Sequence, residues 1–179
     1  MEEKELIITP TPRTNRKVEK NLIIAPHPDD ELLGCFEVIT RDPNMDTIIV
    51  YTGRNISEER KQEALKLKDE FSNIKIQFFT PDIPIIFLNL ETELFVPDYT
   101  HEWHPEHREF GYYGEQFFRQ GLNVTFYSVN MNTPYIRALD DETSQKKRDM
   151  LNKIYPSQKS LWESDWKYFL FEGRMKYEL

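Results

Sequence analysis

The strongest constraint on the fold is a short apolar run, Leu22-Ile23-Ile24, that stops abruptly at Pro26-His27-Pro28. Consecutive aliphatic side chains point to both faces of a strand, so this strand must be covered on both sides, like the central strands of a parallel sheet. Proline cannot donate to a sheet ladder, which ends the strand at that point. Asp29 and Asp30 suit the cap of a following helix. Glu31 falls in its first turn, where a carboxylate favours the positive end of the helix dipole. A buried strand thus runs into a helix through an acidic turn.

The alternation recurs downstream. Thr47-Ile-Ile-Val-Tyr51 reads as a second strand, Gly53 as a turn, and Ser57-Glu58-Glu59 as the start of a helix whose inner stripe is Ala64, Leu67 and Phe71. Ile74, Ile76 and Phe78 alternate on a third strand. A helix over about 104–119 precedes a strand carrying Val124, Phe126 and Ser128 on one face. Strands alternating with helices predict an α/β fold with a mostly parallel sheet and helices on both faces. In such sheets ligands bind outside the carboxyl ends of the strands, so the 26–31 turn is a site candidate by position alone. Residues 1–20 are polar and charged apart from Leu6-Ile7-Ile8, with prolines at 10 and 12, and read as an N-terminal arm. The remainder, 21–179, reads as one domain, since no internal repeat, low-complexity tract or Gly/Ser-rich linker divides it.

Composition narrows the partners. The net charge of −8, from 31 acidic against 23 basic side chains, disfavours a phosphate backbone, so no nucleic-acid partner is expected. Cys35 is the only cysteine, so the fold must hold without an intrachain disulfide, as in a reducing compartment. A cytoplasmic location is expected, because the acidic N-terminus does not resemble a signal peptide. The most hydrophobic window, 83–90, is too short to span a bilayer, so no membrane partner is expected.

The chemistry concentrates in two segments. Pro26-His27-Pro28-Asp29-Asp30-Glu31 offers an imidazole and three carboxylates within five residues. His101-Glu102-Trp103-His104-Pro105-Glu106-His107 holds the other three of the chain's four histidines. Zinc accepts imidazole nitrogen and carboxylate oxygen at about 2.0–2.2 Å, and a catalytic site uses three protein ligands so that a fourth position stays open. The two segments together could supply such a set. An Asp-Asp-Glu turn is also what a plain helix cap looks like, and histidines are often structural or solvated. A cap, however, needs no histidine two residues ahead of it.

Ala25-Pro-His-Pro-Asp-Asp-Glu-Leu-Leu-Gly-Cys35 resembles the first motif of the PIG-L/LmbE deacetylases, and His104-Pro-Glu-His107 resembles their second. Thr52-Gly53, Glu59-Arg60-x-x-Glu63-Ala64 and Tyr155-Pro156-Ser157-Gln158 extend the likeness over about 21–158. The resemblance implies a single-domain, Rossmann-like three-layer sandwich that binds one zinc ion per chain. It implies His27, Asp30 and His107 as metal ligands, Asp29 as general base, and His104, in its protonated form, as a stabiliser of the oxyanion. Glu106, where the family commonly has aspartate, would be a partner behind one imidazole. Phe36-Glu37 replaces two family glycines, so the first helix must pack differently. Arg60 and Asp82 are candidates for substrate contact, although the first suits a solvated ion pair and the second a simple turn. Trp103 and Tyr112-Tyr113 could stack on a sugar ring, but aromatics at such spacing also suit a core.

The expected activity is removal of an acetyl group from a small N-acetylglucosamine-like substrate, an amino sugar or sugar conjugate. Two rivals stand beside it. One is a zinc amidase acting on another amide, such as a thiol conjugate. The other is a carbohydrate-binding domain of the same fold without turnover. The short chain leaves little length for pocket loops, which would suit a homo-oligomer in which a second subunit completes the cleft.

Overall fold

The computed structural model describes residues 18–79, 91–130 and 133–176. In chain order its elements are β1 (Lys20–Ala25), α1 (Asp30–Arg41), β2 (Asp46–Tyr51), α2 (Glu58–Leu65), α3 (Leu67–Glu70), β3 (Ile74–Phe78), β4 (Thr92–Pro97), α4 (Pro105–Arg119), β5 (Asn123–Ser128), β6 (Ile136–Ala138), α5 (Asp141–Ile154), a 3-10 turn (Pro156–Gln158), α6 (Lys159–Glu163), α7 (Lys167–Leu170) and β7 (Phe171–Lys176). They build one seven-stranded sheet in the order β3-β2-β1-β4-β5-β7-β6. The first five strands pair in parallel, while β7 runs antiparallel to both β5 and β6. The protein is therefore a mixed α/β fold with a mostly parallel sheet flanked by helices. Most of the expected N-terminal arm, residues 1–17, lies outside the described residues.

The apolar run that opens the domain is β1, and its neighbours β2 and β4 leave it no free edge. Alternate side chains enter different cores. Ile23 and Ala25 pack with Leu32, Phe36, Ile49, Tyr51 and Leu151 beneath α1 and α5. Leu22 joins Val50, Leu94, Val96, Phe118 and Phe126 on the α4 side. Full burial of such a side chain contributes about 1.5–3 kcal/mol, so a strand with aliphatic residues on both faces is driven to the middle of the sheet.

The pair Phe36-Glu37 has a specific accommodation. Helical geometry breaks at Cys35 (φ −131°, ψ 23°), which turns Phe36 into the core and Glu37 towards the antiparallel edge. There Glu37 takes Arg174 of β7 at 2.7 Å and also pairs with Arg137 of β6. The close approach of helix to sheet occurs one residue earlier, at Gly34. A methyl group there would lie 2.2 Å from the Tyr127 ring. Cys35 itself is fully buried and burial pushes its thiol pKa upward, in keeping with a packing residue.

Candidate metal centre

The strand order places β1 beside β4, with the chain running outward from β1 through β2 to β3 and then crossing back. The carboxyl ends of β1 and β4 therefore form the topological switch point, where an open α/β sheet leaves a crevice. The 26–30 turn leaves β1 at that crevice, and the segment between Pro97 and Pro105 leaves β4 and enters α4 there. Topology alone thus joins two segments separated by some eighty positions, as in the His27–His107 pair (|i−j| = 80).

Three donor atoms converge. Asp30 Oδ2 lies 3.1 Å from His107 Nε2 and 3.5 Å from His27 Nδ1. His27 Nδ1 and His107 Nε2 are 3.2 Å apart. Ligands at about 2.0–2.2 Å from a tetrahedral ion are separated by about 3.3–3.6 Å; one edge of this triangle falls in that range and the other two are 0.1–0.2 Å shorter, close to the spacing of a metal-ligand set. His104 stands alongside, its ring centroid 4.6 Å from that of His27 and 5.2 Å from that of His107. The three imidazoles bring nitrogens within 4.8 Å of one another and could themselves hold a metal ion.

Each converging imidazole has a carboxylate behind it. His107 Nδ1 faces Glu102 Oε2 at 3.2 Å, and the other oxygen of Glu102 accepts from Ser128 Oγ (3.0 Å) and from the Val129 backbone N–H (2.8 Å). His27 Nε2 faces Glu106 Oε2 at 2.9 Å, while the Arg54 backbone N–H donates to the second oxygen of Glu106 at 3.1 Å. Each carboxylate fixes the orientation of the imidazole in front of it and turns the opposite nitrogen, Nε2 of His107 and Nδ1 of His27, towards the triangle. Glu106 therefore backs His27, not a histidine of its own helix. Glu102 is the residue that sequence reasoning missed. It lay within the histidine-rich segment, but nothing in the spacing showed that it would reach His107 while anchored to β5.

Electrostatics separates the two aspartates. Burial opposes ionisation of Asp30, but the imidazoles of His107 and His27 outweigh it and hold the carboxyl well below its usual range. Burial also opposes charge on His107, yet Asp30 and Glu102 raise its pKa to about 10. Asp29 moves the other way, raised by burial and by Asp30 against the pull of Arg60. Its carboxylate turns from the imidazoles to Arg60 Nη2, 3.0 Å away. The same guanidinium donates to the Pro28 carbonyl. Asp29 can do this because its backbone is in the left-handed half of conformational space (φ 114°), which only this non-glycine residue adopts among those described.

His104 caps α4: its Nδ1 accepts from the Glu106 backbone N–H at 3.3 Å, which leaves the proton on Nε2. Burial and the neighbouring imidazoles of His27 and His107 lower its pKa, so near neutral pH it offers an N–H donor without a net charge. Trp103, Tyr112 and Tyr113 are exposed, which rules against the core alternative for them. Asp82 lies outside the described residues.

No protein-family model matches the chain, and no curated protein matches it in sequence. Solved structures do. N,N'-diacetylchitobiose deacetylase from Pyrococcus horikoshii superposes with a TM-score of 0.58 over 89% of this chain and 84% of its own, at 18% identity. The zinc-inhibited form of teicoplanin deacetylase gives a TM-score of 0.57 over 89% and 99%, at 10% identity. A deacetylase of the A40926 pseudoaglycone gives 0.55 over 91% and 100%, at 11% identity. The chain therefore has the fold of these deacetylases across nearly its whole described length.

Proposed function

We propose that this protein is a zinc-dependent hydrolase that removes an acetyl group from an N-acetylglucosamine-like substrate. The reading rests on one observation above all: the His27, Asp30 and His107 donor atoms form a triangle of 3.1–3.5 Å edges beside a carboxylate that takes no part in it. Those three residues would hold the ion. When bound, it supplies Lewis acidity that makes water a stronger acid and polarises the amide carbonyl.

The chain's own groups then divide the work. Asp29, whose pKa is raised, is the base that accepts a proton from the attacking water. Arg60 at 3.0 Å opposes that rise and aligns the carboxylate until it does so. The His104 Nε2–H donates to the oxyanion that forms as the carbonyl becomes tetrahedral, the kind of interaction whose loss costs ~3–4 kcal/mol in other enzymes. Asp29 returns its proton to the departing nitrogen, the C–N bond breaks, and acetate and a free amine leave. The folds shared with deacetylases of N,N'-diacetylchitobiose, of teicoplanin and of the A40926 pseudoaglycone support an acetamide, and the first of them a sugar-borne one, as the substrate class. Exposed Trp103, next in sequence to His104, is suited to stacking on a sugar ring.

Metal analysis and acetate release across a panel of N-acetyl sugars test the reading. One zinc per chain and turnover of at least one N-acetyl sugar are expected, with Asp29→Ala keeping the metal but losing turnover by about 100-fold or more. Asp29→Ala with undiminished turnover would refute its role as base.

A further inference from the structure

Directly beneath the two aspartates lies a buried chain of oxygen atoms that the reaction as described does not use. Tyr51 at the end of β2, Tyr155 at the end of α5 and Glu31 in the first turn of α1 are all fully buried. The two phenolic oxygens are 3.1 Å apart, and the Tyr155 hydroxyl donates to Glu31 Oε1 at 2.6 Å. The second oxygen of Glu31 accepts the Asp29 backbone N–H at 3.1 Å. A carboxylate in an apolar interior is costly unless its oxygens are satisfied, and here one oxygen is spent on the backbone of the strained residue. The Asp29 carbonyl is held as well, by the N–H groups of Leu32 (3.0 Å) and Leu33 (2.9 Å).

The same short segment reaches Asp29 by a second route. Two residues after Tyr155, the Ser157 hydroxyl and backbone N–H donate to the two oxygens of Glu63 at 2.6 Å and 2.9 Å. Glu63 lies on α2, one turn after Arg60, whose guanidinium pairs with the Asp29 carboxylate. The 155–157 segment thus holds the Asp29 backbone through Glu31 and, through Glu63, anchors the helix that carries the partner of its side chain.

We propose that Tyr155 and Glu31 are positioning residues, which hold Asp29 at positive φ so that its carboxylate faces the reacting water and not the metal ligands. The catalytic part of this proposal rests on the deacetylase reading, while the conformational part stands on its own. Without the Tyr155 hydroxyl, Glu31 loses its orienting donor, the Asp29 N–H loses a fixed acceptor, and the left-handed backbone relaxes. Relaxation swings the carboxylate of Asp29 away from Arg60. Misplacement of a reacting group by about 1 Å costs on the order of 100-fold in rate.

Crystal structures and steady-state kinetics of zinc-loaded wild type, Tyr155→Phe, Glu31→Ala and Glu31→Gln test the proposal. In Tyr155→Phe and Glu31→Ala, Asp29 is expected to leave positive φ or lose its Arg60 contact, with zinc content retained. On any substrate that wild type turns over, kcat should fall about 10- to 100-fold while KM is unchanged. Glu31→Gln keeps an oxygen for the Asp29 N–H, so it should recover most of the loss seen in Glu31→Ala. Asp29 unmoved in both Tyr155→Phe and Glu31→Ala would overturn the proposal. So would equal losses in Glu31→Gln and Glu31→Ala with Asp29 in place. A wild type that turns over no amide would sink the deacetylase reading alone, and the position of Asp29 in the variant crystals would still decide the bracing role.

Discussion

Zinc should bind this protein in competition with a proton, and the structure says which one. In protein stripped of metal, Asp30 Oδ2 lies 3.1 Å from His107 Nε2, and Glu102 faces the other ring nitrogen at 3.2 Å. Two flanking carboxylates raise the imidazole to about 10 despite its burial, so near pH 7 both nitrogens carry protons. The carboxyl of Asp30 is already ionised there, because His107 and His27 hold it below its usual range. A metal ion must therefore displace one proton from His107, and only one is lost from this pair. Affinity then rises about tenfold for each pH unit between about pH 7 and pH 9, and levels off near the imidazole pKa. The same raised pKa means that stability owed to the His107 ion pair is complete below about 6.5, its unfolded value, and is lost as pH rises through about 10. Calorimetry in buffers of different ionisation enthalpy measures the released protons directly, and competition with a chelator measures the affinity. Zinc affinity that is flat over that range, with no proton release, would refute the assignment of His107 as both a protonated group and a ligand.

Other perturbations read other parts of the structure. Glu102→Ala frees His107 Nδ1 and should weaken zinc binding by about 10- to 100-fold with the fold intact, as measured by chelator competition. Lys147→Met removes a fully buried ammonium that donates to the Leu33 (2.6 Å) and Phe171 (3.0 Å) carbonyls and stands 3.9 Å from the buried Glu172 carboxylate. Glu172 keeps Arg174 (3.5 Å) and the Glu37 N–H (3.1 Å), so the loss is mainly that of the donor to two buried carbonyls, which should cost about 1–3 kcal/mol and lower Tm by a few degrees. An unchanged melting curve would show that Lys147 does not pin α5 to the sheet.

What the sequence reveals here follows the strength of its periodicities. β1, β2 and β5 are legible because their apolar residues fill cores on both faces, and β3 because Ile74, Ile76 and Phe78 alternate with exposed Lys75 and Gln77. β4 is not, because Thr92-Glu-Leu-Phe-Val-Pro97 combines a glutamate with a terminal proline, and its place beside β1 comes from long-range pairing. α5 has a good cap, with the Asp140 side chain accepting from the Thr143 N–H, but its inner face includes Ser144 and Lys147 ahead of Leu151 and Ile154. A lysine that buries its ammonium on backbone carbonyls gives no apolar stripe to detect. The antiparallel pair β6 and β7 escapes for a related reason, since β6 is exposed along its length and β7 carries Glu172, Arg174 and Lys176. At the site, residue types and spacing point to the two segments that converge, and the resemblance to known deacetylases to His27, Asp30 and His107 within them. The carboxylates behind the imidazoles are set by tertiary contacts, and so is the Tyr155–Glu31 chain.

The two neighbouring aspartates show how a backbone can give identical side chains different surroundings, and the cost of doing so is measurable. Positive φ at Asp29 sends its carboxylate to Arg60, while Asp30 stays with His27 and His107. Glycine would adopt that φ freely, but glycine carries no base. Strain of this kind costs about 1–3 kcal/mol. Burial and the nearby Asp30 raise the Asp29 pKa, so its ionisation destabilises the fold progressively as pH rises above about 3.8, the ordinary aspartate value. Against these stands the ion pair with Arg60, which is itself only 21% exposed. Since the pKa is raised in spite of that pair, the unfavourable contributions prevail. Asp29→Gly is therefore expected to lose turnover and to gain stability, by about 1–2 kcal/mol at neutral pH in metal-stripped protein, a Tm increase of a few degrees. Thermal melts at about pH 4 and pH 7 separate the causes: strain relief persists at both, whereas relief of the buried charge appears only at the higher pH. A melting temperature that falls at both would mean that Asp29 is held without strain, and that the division of labour between the two acids has another origin.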